Sequence, residues 1–362
     1  MKNYVKTGLL FVPFMTGKGG TERVIENLYD TMQDENFDSY FVMTTISIGG
    51  SDNYDWAKKI PLKIINAGKT RLIRKIFYVT CLPVLMFFLI LNRKTDFIIS
   101  TNPVMWTLAK ISCKILRRHT KVISWYHYSL KQKPVRPFLL NTADAYLAIS
   151  SGIKEQLIQN GIKENRIFLV FNPVVSDGKI VKRPQDKVHF LYVGRMDLDG
   201  QKNLRELFQA LASVSGNWEL DTYGDETYIE DIVKVTKDLS IDKNVVHHGF
   251  VDNLWDKVNV ATALVLTSKY EGLPMVLCEA VSHGVFCISS DVDTGPRDII
   301  NKNNGKLYRS GDTEELCMIL QNIVDQWPMP DGTTVKATAK KFEPQNYMMN
   351  FFNAITTTLK GK

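Results

Sequence analysis

Two carboxylates, Glu271 and Glu279, stand eight positions apart in EGLPMVLCE (271–279), with a Gly-Leu-Pro turn after the first and an apolar run before the second. The preceding ATALVLTS reads as a buried strand and KYEG as the loop after it. Pro274 then reads as the first residue of a helix, where its missing N–H is not needed. This puts Glu271 on the loop and Glu279 in the second helical turn. A rise of ~1.5 Å per residue separates them by ~12 Å or more. The acid pair of a glycoside hydrolase lies roughly 5–9.5 Å apart, so the two do not flank one scissile bond. Each suits its own polyol. One carboxylate accepts from a sugar's hydroxyls, the other from a ribose, and the helix N-terminus between them offers amides to phosphates. A surface Glu followed by a capping Glu is the plainer alternative.

Further chemistry falls after other predicted strands. GRMDLDGQKN (194–203) brings Arg195 and Lys202 close to the start of a helix. Cations there oppose the helix dipole, which makes sense if an anion lies between them and the helix. A diphosphate would receive two charge-assisted contacts plus backbone amides; a solvated surface is the alternative. TGKGGTE (16–22) offers Gly17, Gly19 and Gly20, which leave space for a phosphate or sugar at the backbone. It is neither a P-loop nor the dinucleotide fingerprint, and a tight turn into a helix explains it equally well. His127, in WYHYSL, either donates to a sugar hydroxyl or a developing charge, or is a structural histidine among Trp125, Tyr126 and Tyr128. The pairs Asp197/Asp199 and Asp291/Asp293 match the D-x-D pattern of metal-dependent sugar transferases, a spacing common by chance. Arg195 and Lys202 already supply the charge a divalent ion would bring to a leaving diphosphate. No metal ligand and no cofactor are therefore expected.

The elements that must position these residues alternate. GLLFVPF, SYFVMTTI, FIIS, KVISWY and AYLAIS read as strands in the first half, with helices between, beginning with TERVIENLYDTM. VHFLYVG, WELDTYG, VVHHGF, ATALVLTS and VFCISSD repeat the pattern after a polar, turn-rich linker, SDGKIVKRPQDK (176–187). A chain of 362 residues exceeds one ordinary core. The expected architecture is α/β, with two Rossmann-like doubly wound domains facing a cleft, over 1–175 and 186–342.

Composition narrows the function. With 44% hydrophobic and 23% charged residues the chain is of the soluble globular class. A net charge of +7 suits an anionic substrate or an anionic membrane surface; long basic blocks are absent, which argues against nucleic acid. Five scattered cysteines without a C-x-x-C pair suggest reduced thiols and a cytoplasmic location. MKNYVKTGLLFVPFM reads as a buried first strand, because TGKGGTE follows it where a signal peptide needs a cleavage site. IFYVTCLPVLMFFLIL (76–91) is shorter than the ~20 residues of a spanning helix and contains Pro83. It reads as a buried helix, or as an interfacial one whose flanks (Arg71, Arg74, Lys75, Arg93, Lys94) meet anionic lipid.

With these residues in place, the chain resembles glycosyltransferase family 4, of the two-Rossmann GT-B fold, and within it the bacterial lipopolysaccharide 1,6-galactosyltransferases. The most specific motif is E-x7-E at Glu271 and Glu279, preceded by GR and QKN at Arg195 and Lys202. SWYHYSL, AISSGIKEQ, VFNPV, YVGRMDLDGQKN and CISSDVDTGPRDII also carry the likeness. It covers most of 10–30 and 120–310, and diverges over 40–95, where acceptor and membrane contacts are expected. The resemblance implies a retaining transfer of a hexose from a UDP-sugar to a lipid-linked or cell-surface glycan. Glu271 would contact the donor sugar, Glu279 the ribose, and Arg195 and Lys202 the diphosphate. Gly19 and Gly20 would approach it from the N-terminal, acceptor-side domain, and His127 would meet the transferred sugar. Gly249 and Phe250, in HHGFV, would lie beside the nucleobase, and Gly272, Leu273, Pro274, Met275 and Val276 would complete the donor-binding set. The family's front-face mechanism needs no covalent nucleophile, since the leaving phosphate takes the acceptor's proton. A final helix near 343–362 would cross back to the first domain. A nucleotide-sugar epimerase of the same fold is the alternative, and a binding-only subunit a third.

Overall fold

The computed structural model describes residues 5–15, 19–34, 40–49, 55–58, 60–68, 70–225 and 227–361. The chain divides into two units, one of residues 1–175 with 343–362, the other of residues 176–342.

The first unit is built on seven parallel strands: β1 (Lys6–Val12), β2 (Phe41–Ile48), β3 (Leu62–Ile65), β4 (Phe97–Ser100), β5 (Lys121–Ser124), β6 (Ala145–Ala148) and β7 (Ile167–Leu169). Their order is β3-β2-β1-β4-β5-β6-β7. Central strands such as FIIS and AYLA are buried at every position, as a parallel sheet covered on both faces requires. The helix Gly20–Asp34 follows β1, and the helix Pro344–Lys360 packs against it and against β6 and β7.

The second unit repeats the plan with β8 (Val188–Val193), β9 (Trp218–Tyr223), β10 (Val245–His247), β11 (Ala263–Leu266), β12 (Phe286–Asp291) and β13 (Gly305–Arg309), all parallel. The order is β10-β9-β8-β11-β12-β13. Its core packs Phe190, Leu207, Phe208, Trp218, Leu220, Phe286 and Leu316 between sheet and helices. Both sheets therefore have the expected Rossmann-like, doubly wound order. Winding reverses between β1 and β4 and between β8 and β11, the switch points where such folds hold ligands beyond the strand ends.

Three edge strands, β3, β7 and β13, were not read as strands. LKII has no fully buried position, and GKLYR buries only Gly305 and Tyr308. The apolar stretch 76–91 forms parts of two helices, Arg71–Thr80 and Leu82–Leu91, with Pro83 in the first turn of the second. The second helix buries only Leu82, Met86 and Ile90, so burial accounts for one stripe of it and not for the whole run.

Candidate active site

The two loops at the switch point of the second sheet carry the strongest candidates. The loop after β8 holds Arg195 and Lys202, and the loop after β11 holds Glu271. Lys202 Nζ donates to Glu271 Oε1 at 2.7 Å, and Ser268 Oγ donates to the same oxygen at 2.7 Å. The two side chains are 15% and 9% accessible. Among the described residues, Oε2 of Glu271 takes no hydrogen bond and the Lys202 ammonium makes only this one. Each group is thus held by only part of its hydrogen-bonding capacity. Within the protein, the anion that Lys202 meets is the carboxylate of Glu271.

The loops are braced to each other. Thr267 Oγ1 donates to the carbonyls of Lys202 and Asn203, at 3.0 and 3.1 Å. Lys269 N–H donates to the Gln201 carbonyl, at 2.8 Å, and Gln201 Nε2 to the Tyr270 carbonyl, at 2.9 Å. Arg195 is exposed and donates to Gln201 Oε1 at 2.6 Å, while its carbonyl accepts from Tyr192 Oη at 2.6 Å. These bonds fix the cations before any ligand arrives, the condition under which electrostatic stabilisation is most effective.

A third loop closes the arrangement. Thr294 Oγ1 donates to the Glu271 carbonyl. Gly295, at φ +95°, lies so close that a Cβ there would meet Pro274 Cδ at 2.6 Å and the Gly272 carbonyl at 2.9 Å. Gly272, Leu273 and Pro274 run into the helix Met275–Ser282, whose first two residues are Met275 and Val276. Pro274 was expected as the first helical residue. It is instead the N-cap, with ψ 100° outside the helical range and its ring packed against Gly295. Glu279 lies in the second turn, as read from the spacing. Its Oε2 accepts from Trp255 Nε1 at 3.2 Å, and Trp255 stacks on His283 at 4.5 Å and 6°.

Beside this lie Gly249 and Phe250. Gly249 adopts φ +70°, and its carbonyl accepts from the Gly224 N–H at 2.9 Å. A Cβ on Gly224 would fall 1.9 Å from the Gly194 carbonyl oxygen, so that backbone contact requires glycine. Phe250 is half-exposed. Both motifs of the D-x-D type are largely tied up locally. Asp199 and Asp291 form two-toothed pairs with Arg205 and Arg297, and Asp197 accepts from the Gly200 N–H at 2.7 Å.

The remaining candidates belong to the first unit. His127 is 9% exposed and its ring lies 4.6 Å from that of Trp125. Its Nε2 is buried without a hydrogen-bond partner among the described residues. Burial pushes its pKa down to about 3, so the imidazole is neutral. At Gly19 a Cβ would meet Glu22 Oε2 at 2.5 Å, whereas Gly20 borders open space. Glu22 thus puts an acid where a phosphate was expected to approach. Gly17 lies outside the described residues.

Sequence reasoning did not find Ser268, Gln201, Thr294, Trp255, Gly224 or Gly295. A glycine ending a strand signals close backbone approach in general, which would have pointed to Gly224; no local pattern marks the others.

The family model described as Glycosyltransferase Family 4 matches residues 18–177, and the one described as Glycosyl transferases group 1 matches residues 187–326. The chain is 37% identical over 272 residues to the lipopolysaccharide 1,6-galactosyltransferase of Salmonella typhimurium, covering 73% of this chain and 76% of that protein. It superimposes on the lipopolysaccharide outer core galactosyltransferase WaaB, apo form, with TM-score 0.83 at 31% identity, over 97% of this chain and 99% of that one. HepE of Anabaena, in complex with UDP and glucose, shares the fold with TM-score 0.75 at 17% identity, over 97% and 99%.

Proposed function

The chain belongs to glycosyltransferase family 4 and is a hexosyltransferase of the GT-B fold, and we propose that it moves a galactose- or glucose-type hexose from a UDP-sugar, with retention, to a lipid-linked or cell-surface polysaccharide acceptor. The observation that carries this reading is the half-satisfied Lys202–Glu271 pair at the switch point. The free Glu271 oxygen accepts from the donor sugar's hydroxyls. Lys202, with two N–H bonds left, and the exposed Arg195 hold the diphosphate and neutralise the charge that grows on it as the glycosidic bond breaks. Glu279 takes the ribose hydroxyls, Gly249 and Phe250 border the base, and the neutral His127 donates to or accepts from the transferred sugar. The leaving phosphate takes the acceptor's proton, and no divalent ion takes part. The named activity of the Salmonella relative and the UDP and glucose bound to HepE support the donor class. The relatives are transferases, so the epimerase alternative is not carried further.

A peripheral position at the inner face of the cell membrane fits the helices Arg71–Thr80 and Leu82–Leu91. Leu72, Ile76, Val79, Val84 and Phe88 are each more than half exposed, with Arg74, Lys75, Arg93 and Lys94 in or beside these helices. Among the described residues no single helix is long and apolar enough to cross a membrane, and this pair is bent by 54°. An apolar face with basic flanks suits an anionic interface.

The test is a panel of UDP-sugars, read by thermal stabilisation and by the anomeric configuration of the product in NMR. Stabilisation by UDP and by one hexose donor, with the donor's α configuration kept, is expected. Failure of UDP to stabilise the protein, or an inverted product, overturns the proposal.

A further inference from the structure

Away from the donor loops, the second sheet carries a compact set of metal-type ligands. His189 on β8 stands directly opposite Glu219 on β9, and Asp221 follows two residues on, so all three share one face of the sheet. His189 Nδ1 lies 3.3 Å from Asp221 Oδ2 and 3.8 Å from Glu219 Oε1, and the ligand atoms of all three fall within 4.8 Å of one another. A tetrahedral ion with ligands at ~2.0–2.2 Å sets them roughly 3.3–3.6 Å apart. The two separations from His189 Nδ1 are already close to that spacing.

Its surroundings are those of an oriented site. The second oxygen of each carboxylate is engaged: Glu219 Oε2 by Lys187 Nζ at 2.5 Å, Asp221 Oδ1 by His248 Nε2 at 2.7 Å. His248 is itself held by stacking on Tyr223 at 4.4 Å and 9°. The backbone of His189 is pinned on both sides by Thr262, whose Oγ1 accepts the His189 N–H at 3.0 Å and whose N–H donates to the His189 carbonyl at 2.7 Å. Partners of this kind, one layer out, fix the ligands of metal sites. Two carboxylates against one lysine leave a net negative charge, which favours a cation. Imidazole with carboxylate selects zinc-class ions over magnesium or calcium.

We propose that His189, Glu219 and Asp221 form a site for a zinc-class divalent ion, with a water as fourth ligand. The ion clips β8 to β9 and, through Asp221 and His248, steadies the loop after β10. It is separate from the Lys202–Glu271 pair and takes no part in transfer.

The experiment is calorimetric titration of the metal-stripped full-length protein with Zn2+ alone at neutral pH, with Co2+ as a coloured stand-in and Mg2+ as control. One equivalent of zinc should bind, Co2+ should give the intense visible bands of tetrahedral coordination, and Mg2+ should give no heat. His189→Ala and Asp221→Asn should each weaken zinc binding by at least about tenfold, and His248→Gln by about tenfold. Should either first variant fail to fold by circular dichroism, Glu219→Gln replaces it in the comparison. No saturable zinc binding, or binding unchanged in these variants, overturns the proposal.

Discussion

Lys202 and Glu271 bind each other as well as their proposed ligands, and a double-mutant cycle separates the two roles. With accessibilities of 15% and 9%, the pair is nearly withdrawn from water. Removing one partner of a buried pair costs 3–5 kcal/mol, because the other charge is stranded. Lys202→Met leaves the Glu271 carboxylate with only the Ser268 hydroxyl, and should destabilise the protein by about 3 kcal/mol, the low end of that range, since some water reaches it. Glu271→Gln keeps an acceptor for both Ser268 and Lys202, so about 2 kcal/mol is expected. The double variant strands no charge and should also lose only about 2 kcal/mol, roughly 3 less than the sum of the singles. Urea unfolding measures all four proteins. Transfer rates follow a different pattern: each single variant should fall by about 10²–10³, the scale for losing one preorganised stabilising contact, and the double variant should recover none of it. Additive stabilities within about 0.5 kcal/mol would refute the coupling. Near-normal turnover in either single variant would refute the catalytic assignment.

Three other outcomes are expected. Gly224→Ala drives a methyl to 1.9 Å from the Gly194 carbonyl, so both strand-end loops must shift; stability should fall by about 3 kcal/mol or more in thermal or urea unfolding, with donor binding lost alongside. His127, with its pKa pushed down to about 3 by burial, stays neutral in the folded state while the unfolded chain takes up a proton below about pH 6.5. Its contribution is therefore full above that pH and is lost as pH falls towards 3, at about 1.4 kcal/mol per unit. Urea unfolding at successive pH values should show a slope that His127→Gln lacks; equal slopes would disprove the burial argument. Val79→Asp with Phe88→Asp, at side chains 77% and 52% exposed, should abolish sedimentation with anionic vesicles while leaving donor binding intact; unchanged sedimentation would exclude this face.

The sequence made the two doubly wound units legible, and brought the candidate site into view, for a physical reason. Buried parallel strands are near-continuous apolar runs, and β4, β6 and β11 stand out as FIIS, AYLA and ALVL. The residues that follow such strands are where this fold places its chemistry, which brought Arg195, Lys202, Glu271 and His127 into view. Edge strands β3 and β13, with one side unpaired, lack that signature. Side-chain pairings across long separations were also invisible. Nothing in QKN or KYEG says that Lys202 would meet Glu271, or that Trp255 would reach Glu279 from a different loop. Spacing placed Pro274 one residue too far into its helix, and its packing against Gly295, twenty-one positions on, leaves no mark in the local pattern.

The helix Pro344–Lys360 supplies Tyr347, Met348, Phe351, Ala354 and Ile355 to the interior of a unit whose other residues, apart from those flanking this helix, all precede Ser176. During synthesis, therefore, the first Rossmann body stays unfinished until residues 344–360 have left the ribosome. The intervening body, with both its ends already made, can close on its own before then. A nascent chain halted ahead of residue 344 would leave the earlier-made half with a bare apolar seam, a natural target for chaperones.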